Sequence, residues 1–348
     1  MSKLRLVAAT AIAISVLTGC ASAPAPASPE PSASPSASQA PFFIAAPLTG
    51  VQYEVGSANF PALGHPSVAC KIDNSFDARP QFGLNRTDIT FVEMVEGGLT
   101  RLVAIWHSDM PEAVGPVRSI RPMDPDILSP FGGVVCYSGG QLAFVRAIEA
   151  APVFTASETS EQGNGTFKRS HDRPAPHNVI VNANLLAEQH NELRSPKAQF
   201  TYSIDQATAS AATGTAVKQF TVSYPQATSS WKPNADGTAW LRTQDGAVHR
   251  DAATGKQVQS TNVVVLTVKI DRSFADHKYG NVPKTIMVSS GTAWVFTAGK
   301  YIKATWSKAD ATSPIILKDE AGAVINLAPG NTWVELMPKA PEGKIVIK

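Results

Sequence analysis

The chain has 348 residues, 17% of them charged and 43% apolar, with a formal net charge of +2 at pH 7. That is an ordinary globular balance, and so small a charge excludes strong nonspecific attraction to nucleic acid. The length holds two domains or one large one.

The first twenty residues read as a lipoprotein signal peptide. A short basic start, Met1 to Arg5, precedes an apolar run from Leu6 to Leu17, and Leu17-Thr18-Gly19-Cys20 has the form of a lipobox. The run is too short to span a bilayer as a helix. Cys20 is therefore expected to receive a diacylglyceryl group and to become the mature N-terminus. An ordinary secretory peptide with a chance cysteine is the rival reading. The expected address is the outer face of a bacterial cytoplasmic membrane, with the lipid as the sole membrane attachment. Residues 21–44 form an Ala/Ser/Pro-rich tether, interrupted up to Pro41 only by Glu30 and Gln39. Such a stretch has no apolar face to bury and is expected to hold the folded part away from the bilayer.

Residues 45–195 are expected to form an α/β or α+β domain carrying the candidate site. Ser67 to Ile72, Asp88 to Glu96, Leu99 to His107 and Gly132 to Tyr137 read as strands. The continuously apolar Leu102 to Trp106 suits a strand covered on both faces. Gly115-Pro116 introduces Val117 to Leu128, in which Arg118 and Arg121 would share a face if it is helical, although Pro122 and Pro125 break any long helix. Gln141 to Ala150 predicts a helix with Leu142, Val145 and Ile148 as its apolar stripe. A polar loop follows over Ser157 to Arg173, then a strand at Val179 to Val181 and a helix near Ala183 to Leu193.

Residues 196–216, rich in Ala, Thr, Ser and Gln, read as a linker. Residues 217–348 show short strands separated by turn signals such as Asp245-Gly246 and Pro329-Gly330, so a β-rich domain is expected. Five of the six tryptophans lie there. Core packing is the main expectation for them, exposed stacking on sugar rings the lesser one. Cys70 and Cys136 sit in strand-like runs and are expected to be buried, either paired or as free thiols.

No phosphate loop, nucleophile elbow, zinc-protease helix or close cysteine pair is present, so no metal or cofactor is expected. His171, Asp172 and His177 have metal-binding side chains, but nothing in their spacing fixes a geometry. Ionic residues are concentrated between Asp73 and Asp124, bordering apolar strands where charge persists only if paired or used. Glu93 and Glu96, three apart on a strand, point to opposite faces. Glu96 stands before Gly97-Gly98, where a sharp turn can leave a carboxylate at a cleft edge. The bland alternative is a Glu–Arg pair that fixes the strand.

The motifs P-L-T-G, K-I-D-N…A-R-P-Q-F-G-L, D-I-T-F-V-E-M-V-E-G-G-L-T-R, G-P-V-R-S-I-R and A-P-H-N occur in order. With W-V-F-T-A-G-K-Y-I-K-A-T-W-S-K and L-A-P-G-N-T-W-V-E-L they make a chain that resembles the YerB-type lipoproteins of Gram-positive bacteria, a family catalogued as DUF3048. The resemblance runs from Pro47 to Leu336. Cys70 and Lys71 stand where more apolar residues are usual, and the loop Ser157 to Lys168 is particular to this chain. The resemblance implies a two-domain, lipid-anchored extracytoplasmic protein without a settled activity. The positions it carries over are Asp73, Asn74, Arg79, Gln81, Glu93, Glu96, Arg101, Arg118, Arg121, His177 and Asn178.

Two functions are expected on these grounds. The first is binding of a cell-wall glycan or a partner protein through a polar groove formed by Asp73, Asn74, Arg79, Glu93, Arg101, Arg118, Arg121, His177 and Asn178. The second is cleavage of peptidoglycan glycan strands with Glu96 as the acid/base, either alone, with the sugar's own hydroxyl attacking, or in a two-carboxylate scheme that needs a further acid such as Asp73 or Asp124. The element ends at which these residues stand are where side chains reach a shared opening without interrupting a core.

Overall fold

The computed structural model describes residues 41–276 and 280–348; the signal peptide, Cys20 and nearly all of the tether lie outside the described residues. One twelve-stranded sheet organises the fold. Its main strands are β1 (Val68–Asp73), β2 (Ile89–Met94), β3 (Thr100–Trp106), β4 (Val134–Tyr137), β5 (Phe154–Ser157), β6 (Asn262–Asp276), β7 (Ser290–Thr297), β8 (Lys300–Ser307) and β9 (Thr332–Pro338). They lie side by side in the order β8-β7-β6-β9-β2-β3-β1-β4-β5. Every residue of β1, β2, β3, β4 and β9 is buried. A sheet covered on both faces requires this, and it explains the unbroken apolar runs.

The two faces have different covers, as the period of two along a strand dictates. Ala69, Phe91, Val103 and Ile105 pack against Ile127 and Leu128 of α1 (Asp124–Leu128), Phe131, and Phe144 and Ile148 of α2 (Leu142–Glu149). Cys70, Ile72, Val92 and Leu102 face the other way, onto Leu186 and Ala187 of α3 (Ala183–Gln189) and the aromatic face of a second sheet. That second sheet is antiparallel, and its strands Phe220–Tyr224, Ala227–Pro233 and Trp240–Gln244 alternate buried with half-buried residues. Its core is aromatic. Phe220 stacks on Phe296 with ring centroids 3.6 Å apart, and Trp231 meets Trp333 edge-on at 5.4 Å. Trp231, Trp240, Trp306 and Trp333 are thus core residues, and Trp294 is partly buried. The main expectation for the tryptophans holds for four of the five.

Strand β9 joins the two halves. It runs parallel to both neighbours, with Thr332 opposite Ile89 of β2 and opposite Asn262 of β6. Without it β2 would present an open edge. The N-terminal and C-terminal sequence regions therefore share one sheet.

Several expectations change. A β-dominated C-terminal part is present, but the N-terminal part is also mostly sheet, with three short α-helices among the described residues rather than the regular interleaving of an α/β domain. Of Val117 to Leu128 only α1 is helical, since Pro116 and Pro122 suit the extended segment that crosses the end of β1. On α2 the buried residues are Phe144 and Ile148, one turn apart, while Leu142 is 63% exposed. Residues 196–216 are packed rather than a free linker. Thr201–Tyr202 pairs with Asn326–Leu327, Thr215–Ala216 extends the main sheet beside β8, and Phe200 and Ala211 enter the core. The polar loop after β5 carries a strand, Phe167–Arg169, paired with Val179–Val181. Cys70 and Cys136 face each other in the parallel register of β1 and β4, fully buried, and form a disulfide.

Candidate functional site

The register of three strands collects charge at one end of one sheet face. Arg101 of β3 lies directly opposite Asp73 of β1 and opposite Glu93 of β2. Directly opposed residues share a face, and Lys71, two before Asp73, shares it too. Towards the middle of the sheet the same face is apolar, at Ala69, Phe91 and Val103. At the strand ends it becomes ionic.

The deepest layer is closed to solvent. Lys71 Nζ donates to Glu93 Oε1 and to Asp124 Oδ1, the latter at 2.6 Å, with all three side chains fully buried. Burial, then the nearby Asp124 charge, push the Glu93 carboxyl up to about 7 against the opposing pull of Lys71 and Arg101. Asp124 stands at the start of α1, and its Oδ2 accepts the backbone N–H of Arg121 at 2.6 Å.

Above this layer lies an open cleft of about 500 Å³, lined by Val95, Glu96, Leu99, Arg101, Arg118, Ser119, Arg121, Gly140 and Gln141. Glu96 stands in the turn between β2 and β3. Gly97 and Gly98 follow with φ of 70° and 74°, a left-handed turn that residues with a Cβ avoid. A Cβ on Gly98 would also come within 2.7 Å of Pro225 Cβ, so the turn is pressed against the second sheet. Arg118 and Arg121 come from the segment over the end of β1. That segment is fixed by backbone bonds, Asp73 N–H to Pro116 O at 2.9 Å and Arg118 N–H to Lys71 O at 2.8 Å.

Each cleft arginine is anchored by a carbonyl. Arg101 Nη1 donates to Ser119 O at 3.0 Å, Arg118 Nη1 to Pro176 O at 3.2 Å and Arg121 Nη1 to Ile120 O at 2.9 Å. Arg121 Nε also donates to Glu96 Oε2 at 2.8 Å. Burial, then the neighbouring Arg121 charge, lower the Arg101 guanidinium to about 10. At one end of the cleft Asp73 Oδ2 lies 3.2 Å from Arg118 Nε and accepts from His177 Nδ1 at 2.8 Å. Burial acts to raise the Asp73 pKa, but the Ser75 N–H, Arg118, Arg101 and His177 together outweigh it and hold the carboxyl low.

The expected groove thus divides. Glu96, Arg101, Arg118 and Arg121 line the cleft, with Asp73 and His177 behind Arg118. Glu93 is sealed beneath. Asn74 turns away, donating to Thr100 Oγ1 at 2.8 Å and Gln244 Oε1 at 3.3 Å. Arg79 reaches Asp245 Oδ2 at 3.0 Å, on a separate surface with Phe76. Asn178 Oδ1 accepts from Arg169 Nη1 at 3.0 Å and, with its Nδ2 donating to Ser170 O at 3.3 Å, closes the preceding loop, residues 170–177. Neither carboxylate considered as a second acid lines the cleft: Asp124 belongs to the buried triad and Asp73 to the His177 pair. His171, Asp172 and His177 form no metal cluster, nor does any other group among the described residues.

Two features escaped sequence reasoning. Lys71 was legible only as a cation inside an apolar strand, two positions from Asp73. The other is a buried polar network behind the opposite sheet face. Glu335, on β9, accepts from Tyr224 Oη at 2.9 Å and Trp231 Nε1 at 3.0 Å, with Arg242 Nε 4.0 Å away. Arg242 lies 4.8 Å from the Trp333 ring centroid and donates to His249 Nδ1 at 2.6 Å. Burial, then the Arg242 charge, hold His249 well below its ordinary pKa, so its Nε2–H donates to Gln81 Oε1 at 2.7 Å. Gln81 Nε2 in turn donates to Asp73 O at 2.8 Å. The network ties the second sheet to the strand end that carries the cleft.

Residues 48–197 match the family model described as "Protein of unknown function (DUF3048) N-terminal domain", and residues 220–334 match its C-terminal counterpart. The chain is 25% identical over 299 residues to "Putative lipoprotein YerB" of Bacillus subtilis (strain 168), covering 85% of this chain and 86% of that protein. The crystal structure of the YerB protein from Bacillus subtilis superposes with a TM-score of 0.73 at 22% identity, covering 87% of this chain and 99% of that one. That likeness concerns the fold.

Proposed function

The chain belongs to the DUF3048 family, whose description assigns no activity, and from that premise we propose that it is a lipid-anchored extracytoplasmic envelope protein that binds a cell-wall glycan or a partner through the cleft at Glu96, Arg101, Arg118 and Arg121. The observation that carries the reading is the cleft itself. A polar opening of about 500 Å³ is built from side chains whose backbones are fixed by sheet register and main-chain hydrogen bonds. Rigid presentation of converging polar groups is what a binding site requires. Glycan cleavage by Glu96 is less well supported, because Oε2 is engaged by Arg121; the two-carboxylate form also lacks a second acid among the lining residues, although a route through the sugar's own hydroxyl needs none.

The envelope address rests on the lipobox at Cys20 and on the name of the Bacillus subtilis relative. Cys20→Ala should release the protein to the medium or leave it unprocessed. Membrane retention of a cleaved Cys20→Ala protein would end the anchoring proposal. Binding is tested by sedimentation with purified insoluble cell wall. Wild-type protein should co-sediment, whereas Arg118→Gln/Arg121→Gln should stay in the supernatant with its melting temperature nearly kept. Equal sedimentation of the two would remove the cleft from the account.

A further inference from the structure

We propose that the cleft is selective for an acidic saccharide, one that presents a carboxylate or phosphate beside a hydroxyl or amide; this rests on the binding reading above and narrows it.

The lining residues include three arginines and one glutamate, leaving an excess of two positive charges over the opening. Asp73 offsets part of this from behind Arg118. Asp73 and Glu93 act on Arg101 only through space, and among the described residues no carboxylate pairs with it directly: it is 6% exposed, its Nε is buried without a hydrogen-bond partner, and Nη1 is spent on Ser119 O. A buried guanidinium N–H left open costs stability unless something fills it.

The second observation is directional. Nη1 of each arginine is held by a backbone carbonyl, and among the described residues the Nη2 groups of Arg101, Arg118 and Arg121 take no protein partner. Guanidinium groups fixed in this way lose little further entropy when they bind an oxyanion through charge-assisted hydrogen bonds. The third is the start of α2. Gly140 and Gln141 line the cleft, and Gln141 supplies no side-chain cap; Phe144 N–H already bonds Gln141 O at 2.9 Å, but among the described residues the N–H groups of Leu142 and Ala143, at the head of this eight-residue helix, take no protein partner. Open N–H groups and the positive end of the helix dipole favour an anion.

Glu96 accounts for the rest of the ligand. Its Oε2 receives Arg121 Nε, while Oε1 has no partner among the described residues and is free to accept from a sugar hydroxyl or an acetamido N–H. An oxyanion alone would satisfy the arginines and be repelled by Glu96. A saccharide with an acid on one side and a donor on the other satisfies both.

The test is calorimetric titration of the full-length protein, purified in detergent, with three probes: N-acetylmuramic acid, N-acetylglucosamine 1-phosphate and neutral N-acetylglucosamine. At least one acidic probe should bind about tenfold or more tighter than the neutral sugar, the scale of one charge-assisted hydrogen bond. Which acid binds separates a carboxylate source from a phosphate source. Arg118→Gln/Arg121→Gln should reduce that preference to near unity, and Arg118→Lys/Arg121→Lys should keep part of it. Equal binding of the neutral sugar, unchanged acid binding by the glutamine variant, or no binding of either acid overturns the inference. Continued sedimentation with cell wall in those cases would leave the broader binding reading standing.

Discussion

Asp124 accepts the backbone N–H of Arg121 at 2.6 Å through one carboxylate oxygen and the Lys71 ammonium at 2.6 Å through the other. The buried ionic layer and the cleft floor are therefore one construction. Lys71 offsets part of the charge of the two carboxylates, and Asp124 fixes the loop that presents Arg121.

Removing the shared cation should be costly. Lys71→Met leaves Glu93 and Asp124 buried without their partner, and breaking a buried pair in this way costs about 3–5 kcal/mol. Urea denaturation should show a correspondingly lower midpoint with an unchanged slope. A loss below about 1 kcal/mol, the range of exposed pairs, would mean that the triad is hydrated.

Glu93 should make stability depend on pH. Its carboxyl is raised in the folded protein from 4.5 to about 7. A raised carboxyl favours the protonated form in the fold, so its contribution is present below pH 4.5 and is lost as pH rises through about 7. Relative to Glu93→Gln, which stays neutral, wild-type stability should fall across that window. Asp73 acts in the opposite sense: its pKa is lowered, so its contribution is present at neutral pH and lost on acidification. A wild-type-minus-Glu93→Gln difference that is flat or rising with pH would contradict the assignment for Glu93.

The second polar layer should be equally unforgiving. Arg242→Met removes the cation nearest Glu335 and the guanidinium over the Trp333 ring, and a loss of about 3–5 kcal/mol is expected. Tryptophan fluorescence during denaturation reports it, since Trp231 and Trp333 lie beside the lesion. A near-neutral result would show that Glu335 is satisfied by Tyr224 and Trp231 alone.

Glu96→Gln should behave differently from these core changes. The side chain is partly exposed at the cleft edge, so stability should change by no more than about 1 kcal/mol, while ligand affinity should fall by about 1–3 kcal/mol. A lower melting temperature with unchanged sedimentation on cell wall would reduce Glu96 to a structural partner of Arg121.

Much of this was legible in the sequence. The apolar runs around Cys70, Val92 and Val103 announced buried strands, and the turn at Gly97-Gly98 announced an acid at a strand end. Legibility failed wherever register or distant pairing decided the outcome. Nothing local says that Arg101 sits opposite both Asp73 and Glu93, because that depends on how three strands align. Nor could Asn74 and Arg79 be separated from the cleft, since their partners Gln244 and Asp245 lie far along the chain. The insertion of β9 between β2 and β6 is likewise non-local. Residues 196–216 looked like a linker from their composition, but their partners Asn326–Leu327 and Lys300–Tyr301, more than 80 residues on, pack them into the C-terminal half. Leu142 misled because an apolar residue at helical spacing need not face the core when a helix begins at an open cleft.

We propose the cleft of Glu96, Arg101, Arg118 and Arg121 as the place where this protein meets its envelope ligand. The most direct measurement is backbone hydrogen exchange of the full chain with and without solubilised cell-wall fragments. Slower exchange is expected at residues 95–101, 118–121 and 139–143, and that protection should vanish in Arg118→Gln/Arg121→Gln. Protection confined to another surface, such as the Phe76 and Arg79 face, or no protection by fragments that demonstrably bind, would contradict the account.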